Sequence, residues 1–181
     1  MLIEEKFTIK SPLRELWNFL LNPETMSTCI PGCEKVDVTS NTEYQSIIVA
    51  KVGPIAVRFN VKTVIDETRP YSFIHTVGEG KELRKMGSFR QKTTIELNEL
   101  SKGETEISYR SEVTVVGRLA TFGDRVLKSK AAEIGKEFAD RVNKELTGSE
   151  EEIQPSETES EDISLMARIV MFFKKIFGIT T

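Results

Sequence analysis

From Leu2 to Ile9 polar and apolar positions alternate, with Ile3, Glu5, Phe7 and Ile9 the more apolar set, which is the period of a half-buried strand. Ser11-Pro12 predicts a helix start, because a serine side chain can accept an orphan N–H and proline is tolerated in the first turn. Leu13, Leu16, Trp17, Leu20 and Leu21 then recur at spacings of three and four and form one apolar face. Asn22-Pro23 repeats the start signal for a short second helix that ends by Ile30-Pro31-Gly32.

From Cys33 to Gly117 the period changes to two, interrupted by turn chemistry at Asn41, Gly53-Pro54, Arg69-Pro70, Gly78/Gly80 and Lys102-Gly103. The alternation is clearest in Ile55-Val57-Phe59-Val61-Thr63-Ile65, in Phe89-Gln91-Thr93-Ile95-Leu97 and in Ile107-Tyr109-Ser111-Val113-Val115. Six successive strands with short turns read as an antiparallel meander. Residues 118–146 return to helical period, with Leu119, Phe122, Val126, Leu127, Ala131, Ile134, Phe138 and Val142 on one side. A helix of that length spans roughly 40 Å, enough to cross the concave face of a curved sheet. Gly123 and Gly135 are unfavourable within it and point to close packing or a bend.

The predicted order is strand, two helices, six strands, long helix: an α+β helix-grip arrangement in which a curved seven-stranded antiparallel sheet wraps around the long helix. That geometry tends to leave a chamber between sheet and helix. The inward positions Phe59, Val61, Phe89, Tyr109 and Val113, with Phe122, Val126, Ile134 and Phe138 from the helix, can be solid core or the lining of a ligand cavity. Trp17 reads as structural.

Charge separates the chain into three parts. The formal net charge is -3, yet residues 147–162 carry acids and no Lys or Arg, so residues 1–146 are close to neutral. A near-neutral body is a poor polyanion binder, since nucleic-acid affinity rests on many Lys and Arg contacts to phosphate. The acidic stretch 147–162 is too polar and too like-charged to fold and reads as a linker, with a reach of roughly 20–24 Å. Residues 163–181 then form a separate amphipathic helix, with Arg168, Lys174 and Lys175 on one side and Leu165, Met166, Ile169, Phe172, Phe173, Ile176 and Phe177 over the remainder. It is too short and too charged to span a bilayer, so it is expected to lie on a membrane surface; the other reading docks it on its own domain or on a partner protein.

Candidate chemistry is sparse. Cys29, Cys33 and His75 are the whole supply of thiol and imidazole, too few for a four-ligand zinc site, and no metal site is expected. A Pro31-Gly32 turn separates the cysteines, which read as packed thiols rather than a redox pair; with no disulfide framework, an intracellular location fits. Acids stand where a signal peptide would be basic and apolar, and the expectation is a cytoplasmic protein peripheral to the inner face of the membrane. His75 lacks an evident nucleophile or orienting carboxylate and reads as a sheet histidine, so no catalytic residue is assigned. Gly78-x-Gly80 leads to another strand rather than a helix, which makes a hairpin or bulge the better reading than a phosphate loop. The basic cluster Lys81, Arg84, Lys85, Arg90 and Lys92 reads as solvated sheet face.

Three strings add a resemblance: Ile30-Pro31-Gly32-Cys33; Lys51-Val52-Gly53-Pro54-Ile55 followed by Phe59; and Gly117-Arg118-Leu119-Ala120 with Phe122-Gly123. In this order, over residues 1–146, they resemble the carbon monoxide dehydrogenase G-subunit (CoxG) family of the START-like (SRPBCC) superfamily. The stretch from Gly78 to Gly87 departs from the commoner family pattern in being more charged and less glycine-rich. The resemblance implies a helix-grip fold with an internal hydrophobic cavity, no covalent cofactor, and a bound quinone or lipid. It further implies an accessory role: recruiting a CO dehydrogenase-type molybdenum hydroxylase to the membrane through the C-terminal helix. START-like domains also house cyclases and hydrolases, so an enzyme acting on a small hydrophobic substrate is the rival expectation, and an assembly factor with an empty cavity a third.

Overall fold

A computed structural model describes residues 1–52, 55–84 and 87–148. They belong to one unit, Met1–Ser149; the second unit, Glu150–Thr181, lies outside the described residues. Of the linker expected over 147–162, Thr147 ends α3 and Gly148 caps it, and the rest, with the amphipathic helix expected over 163–181, lies outside the described residues. The order is β1 (Leu2–Ile9), α1 (Leu13–Leu20), α2 (Pro23–Cys29), β2 (Cys33–Val38), β3 (Glu43–Val52), β4 (Ile55–Arg69), β5 (Phe73–Glu82), β6 (Gly87–Ser101), β7 (Glu104–Gly117), a 3-10 turn (Arg118–Phe122) and α3 (Gly123–Thr147). The sheet runs β1-β7-β6-β5-β4-β3-β2 and every described pair is antiparallel. This is a helix-grip fold: β2 to β7 form the meander, and β1 returns to close it against β7.

The short helices differ in how they begin. Asn22 caps α2 as the sequence predicts, its Oδ1 accepting from the N–H groups of Glu24 at 3.0 Å and Thr25 at 3.3 Å. Ser11 does not cap α1: Pro12 occupies the cap position, and the Ser11 hydroxyl lies within 3.3 Å of the Glu15 carboxylate. The apolar face of α1 packs Leu16, Trp17, Phe19 and Leu20 into one end of the interior.

One correction concerns the strand boundaries. Gly78 and Gly80 do not end a strand; both lie within β5, and the break before β6 falls after Glu82. Gly78 faces Gln91 and Gly80 faces Phe89 across the β5–β6 ladder. A Cβ at Gly80 would lie 2.2 Å from the Phe89 ring, and one at Gly78 2.9 Å from Gln91 Cγ. These glycines make room for the side chains of the next strand, which is why a turn signal appears in mid-strand.

The predicted continuous helix 118–146 is interrupted. A 3-10 turn precedes α3, bounded by Gly117 and Gly123 with φ of 80° and 77°, backbone that L side chains rarely adopt. Gly135 is a packing position, since a Cβ there would meet the Phe7 ring at 3.1 Å.

Candidate functional site: a chamber between two apolar clusters

The buried side chains form two clusters rather than one core. The first gathers Ile9, α1, Cys29, Ile74, Leu97, Ile107, Ala139 and Val142. The second gathers Val52, Val57, Phe59, Val61 and Leu119. Between them lies a chamber of about 430 Å³, within the range of small-molecule sites. Its roof is α3, which fully buries only Ala139 and Val142 near its C-terminal end; Leu127, Ala131, Ile134 and Phe138 line the chamber and stay partly accessible.

Of the side chains nominated from sequence, Phe59, Val61, Phe89, Tyr109, Val113, Ile134 and Phe138 line the chamber. The Phe59 and Phe89 rings meet edge-to-face at 5.2 Å on its wall. Phe122 and Val126 do not line it. Phe122 precedes α3 in the 3-10 turn and packs against the second cluster, while Val126 is 46% exposed. At 100° per residue, Val126 lies about 110° from the centre of the roof stripe Leu127, Ala131, Ile134 and Phe138, on the flank of the helix. The tail residues nominated for membrane contact, Leu165 to Phe177, lie outside the described residues.

The floor shows a feature that the sequence pattern alone does not bring out. The inward positions read apolar, polar, apolar along successive strands: Val61-Thr63-Ile65 on β4, Phe89-Gln91-Thr93-Ile95 on β6, Val113-Ser111-Tyr109-Ile107 on β7. The registers align them into two adjacent rungs, Thr63–Gly78–Gln91 and Thr76–Thr93–Ser111. Thr93 and Ser111 satisfy one another at 2.8 Å, both buried. Tyr44 pairs with Thr63, and burial holds its phenol above the ordinary 10.0, so it stays protonated at neutral pH. The signal that could have found the band is the recurrence of a polar residue among apolar inward neighbours on each strand.

The remaining candidate groups lie elsewhere. His75 has its Nδ1 2.6 Å from Asp66 Oδ1, so the carboxylate the sequence could not identify exists, but no chamber wall includes either residue. Cys29 is buried and Cys33 half-buried; both are free, and burial raises each thiol above the ordinary 9.0, which suppresses thiolate formation. Among the described residues no cluster of three His, Cys, Asp or Glu could hold a metal ion. On the outer face Lys81 and Arg90 lie 3.9 and 3.7 Å from Glu79, beside a groove of about 520 Å³ lined by Lys62, Lys92 and Glu112. Its mixed charges give no consistent electrostatic preference. Lys85 of the predicted basic cluster lies outside the described residues. No described helix is long and apolar enough to cross a membrane.

Comparison with solved structures places this architecture among START-like proteins. A conserved protein from Geobacillus kaustophilus superposes with a TM-score of 0.76 at 19% identity, covering 82% of this chain and 97% of the other. A START superfamily protein from Mycobacterium smegmatis gives 0.63 at 10% identity, covering 81% and 97%. The Zhui aromatase/cyclase from Streptomyces sp. R1128 gives 0.61 at 12% identity, covering 81% and 93%. At such identities the likeness concerns the fold. Among curated protein sequences none matches significantly. The family profile that does match, over residues 6–147, is that of the carbon monoxide dehydrogenase G-subunit (CoxG), and it spans the whole sheet apart from the first residues of β1: the chain belongs to the CoxG family.

Proposed function

We propose that this protein is a non-catalytic carrier that holds a hydrophobic small molecule, a quinone or a lipid, in the chamber beneath α3. The observation that carries the reading is the chamber itself: about 430 Å³ between two apolar clusters, lined by side chains of both and reaching solvent. A mainly apolar wall of this extent can take a small hydrophobic molecule and shield it from water. CoxG membership and the START-like fold support hydrophobic ligand binding.

The carrier acts at a membrane. Support comes from the sequence after Thr147, where an acidic stretch precedes apolar residues interspersed with Arg168, Lys174 and Lys175. Burying such a face favours interfacial binding, and each basic residue near anionic lipid adds about 1 kcal/mol. In this reading the domain is cytoplasmic, recruits a CO dehydrogenase-type molybdenum hydroxylase, and brings its ligand between that enzyme and the membrane; the family name is the support for the partner. The chamber wall carries neither the histidine nor the cysteines; its titratable residues are Met1, by its N-terminus, Glu5, Tyr44, Tyr109 and Lys130.

Native mass spectrometry of the full chain, purified from its host without detergent and followed by solvent extraction, tests the carrier role. A retained apolar compound is the expected result; the bare polypeptide mass in every preparation would count against it. Flotation on anionic liposomes tests the tether: substituting Phe172→Asp, Phe173→Asp and Ile176→Asp together should abolish co-flotation, and unchanged flotation would remove that part of the proposal.

A further inference from the structure

We infer that the end of the fold where β3, β5 and β7 finish and α3 begins is a docking surface for an anionic lipid bilayer. The inference rests on the reading of a carrier that works at a membrane, and it adds a contact made by the folded domain itself. Four large aliphatic side chains are exposed at this end: Ile55 at 37%, Leu83 at 52%, Val116 at 51% and Val126 at 46%. The registers bring them together, since Val52 pairs with Ile55, Phe59 with Glu82, Lys81 with Ser88, and Ser88 with Val116. The 3-10 turn then leads from the end of β7 into α3, and its buried Leu119 belongs to the same cluster as Val52 and Val57.

Charge is sorted along the strands in the same sense. Lys51, Arg84, Arg118, Arg125 and Lys128 are exposed at this end, and none of them makes an ion pair among the described residues. The acids beside them do little to cancel that charge. Glu82 is buried and its carboxylate accepts from the Arg84 N–H at 2.7 Å, Glu34 is engaged by Arg58, and Asp124 stands in the first turn of α3. The far end has the opposite sign: around the β4–β5 and β6–β7 turns, Asp66, Glu67, Glu99 and Glu104 stand against Arg69 and Lys102. A negatively charged surface therefore attracts the first end and repels the second, which orients the domain before contact.

Aliphatic side chains set among unpaired cations match the boundary between headgroups and acyl chains, where phosphate takes the cations and hydrocarbon takes the side chains. A nucleic acid asks for aromatic stacking platforms, and the four exposed side chains include none. They also stand on separate elements, so fluid acyl chains conform to them without the matched pockets that a protein partner would have to supply. α3 ends at the far end, about 37 Å away, and residues 148–162 reach up to about 50 Å when extended, so a C-terminal membrane contact does not prevent this one.

The test is tryptophan fluorescence of the full chain on vesicles of phosphatidylglycerol and phosphatidylcholine with brominated acyl chains, which quench a tryptophan that enters the bilayer. Trp17, the only native tryptophan, is buried and gives a common background. Leu83→Trp and Leu100→Trp, made separately, start from equal exposure, 52% and 51%, at opposite ends of the fold, and circular dichroism checks that both variants are folded. On bound vesicles the emission of Leu83→Trp should shift to the blue and be quenched, while that of Leu100→Trp stays as in water. Arg84→Gln and Arg118→Gln should each weaken binding to these vesicles about fivefold and leave binding to pure phosphatidylcholine unchanged. Leu83→Trp emission that stays as in water while the chain co-floats would leave this end to a protein partner and overturn the inference with the tether intact. Quenching at Leu100→Trp to the same degree, or wild-type affinity in both arginine variants, would overturn it as well. Should the unsubstituted full chain fail to co-float with anionic vesicles, the membrane reading falls and takes the inference with it.

Discussion

Replacing Ala131 by leucine turns the existence of the chamber into a question of sign. Ala131 lies on the roof, facing the chamber from the partly accessible half of α3. Leucine adds about three carbon groups at the same helical position with little change in propensity. In a densely packed interior such an addition forces strained rotamers and costs about 1–3 kcal/mol. In a chamber of about 430 Å³ the added carbons have space to occupy. Each buried CH₂ is worth about 0.8 kcal/mol, so full burial would contribute roughly 2.4 kcal/mol; partial accessibility at this site reduces that to about 1–2 kcal/mol. At about 2–4 °C per kcal/mol for a domain of this size, the midpoint of thermal unfolding should rise by about 2–8 °C. Circular dichroism melts on ligand-stripped protein provide the assay, with retention of the host-derived apolar compound measured in parallel by native mass spectrometry and expected to fall. A lowered midpoint would show that the space is already filled, and the reasoning about the chamber would be wrong.

Other outcomes follow from the same geometry. Gly80→Ala should reduce ligand affinity more than stability, because the Phe89 ring that a Cβ would meet at 2.2 Å is a side chain that can swing into the chamber; paired melts and titrations check this. Asn22→Ala should cost about 1 kcal/mol in urea unfolding by leaving the first N–H groups of α2 uncapped, whereas Ser11→Ala should not remove a cap. Stability should fall as pH rises above about 9: the folded state holds Cys29, Cys33 and Tyr44 protonated above their ordinary values, so the unfolded chain loses those protons first. Tyr44→Phe with Cys29→Ala should flatten that alkaline decline in urea titrations between about pH 8 and pH 11. For the same reason iodoacetamide should label Cys29 and Cys33 in the folded protein far more slowly than in the urea-unfolded chain at about pH 8, and equal rates would contradict the burial argument.

The fold was legible because its signals are local. Strand alternation from Cys33 to Gly117 fixes which residues point inward, and a meander needs little more than the order of its strands. The Asn22 cap could likewise be read from two residues. Gly78 and Gly80 misled because glycine has two uses, and only the pairing with Gln91 and Phe89 shows that here it admits neighbouring side chains. Val126 is apolar yet lies on the flank of α3, because the stripe that lines the chamber is set by contact and not by the hydrophobicity of each residue. The polar rungs were the hardest to see. Thr63, Gln91, Thr93 and Ser111 each look like a single lapse in an apolar pattern, and only the cross-strand register gathers them into one band.

An interior space that receives a hydrophobic small molecule is the central claim, and its most direct measurement is a crystal structure of the protein purified from its host without detergent. The expected result is density for a bound apolar compound beneath Ile134 and Phe138. Side chains closing the space from both ends, with no compound bound, would contradict it.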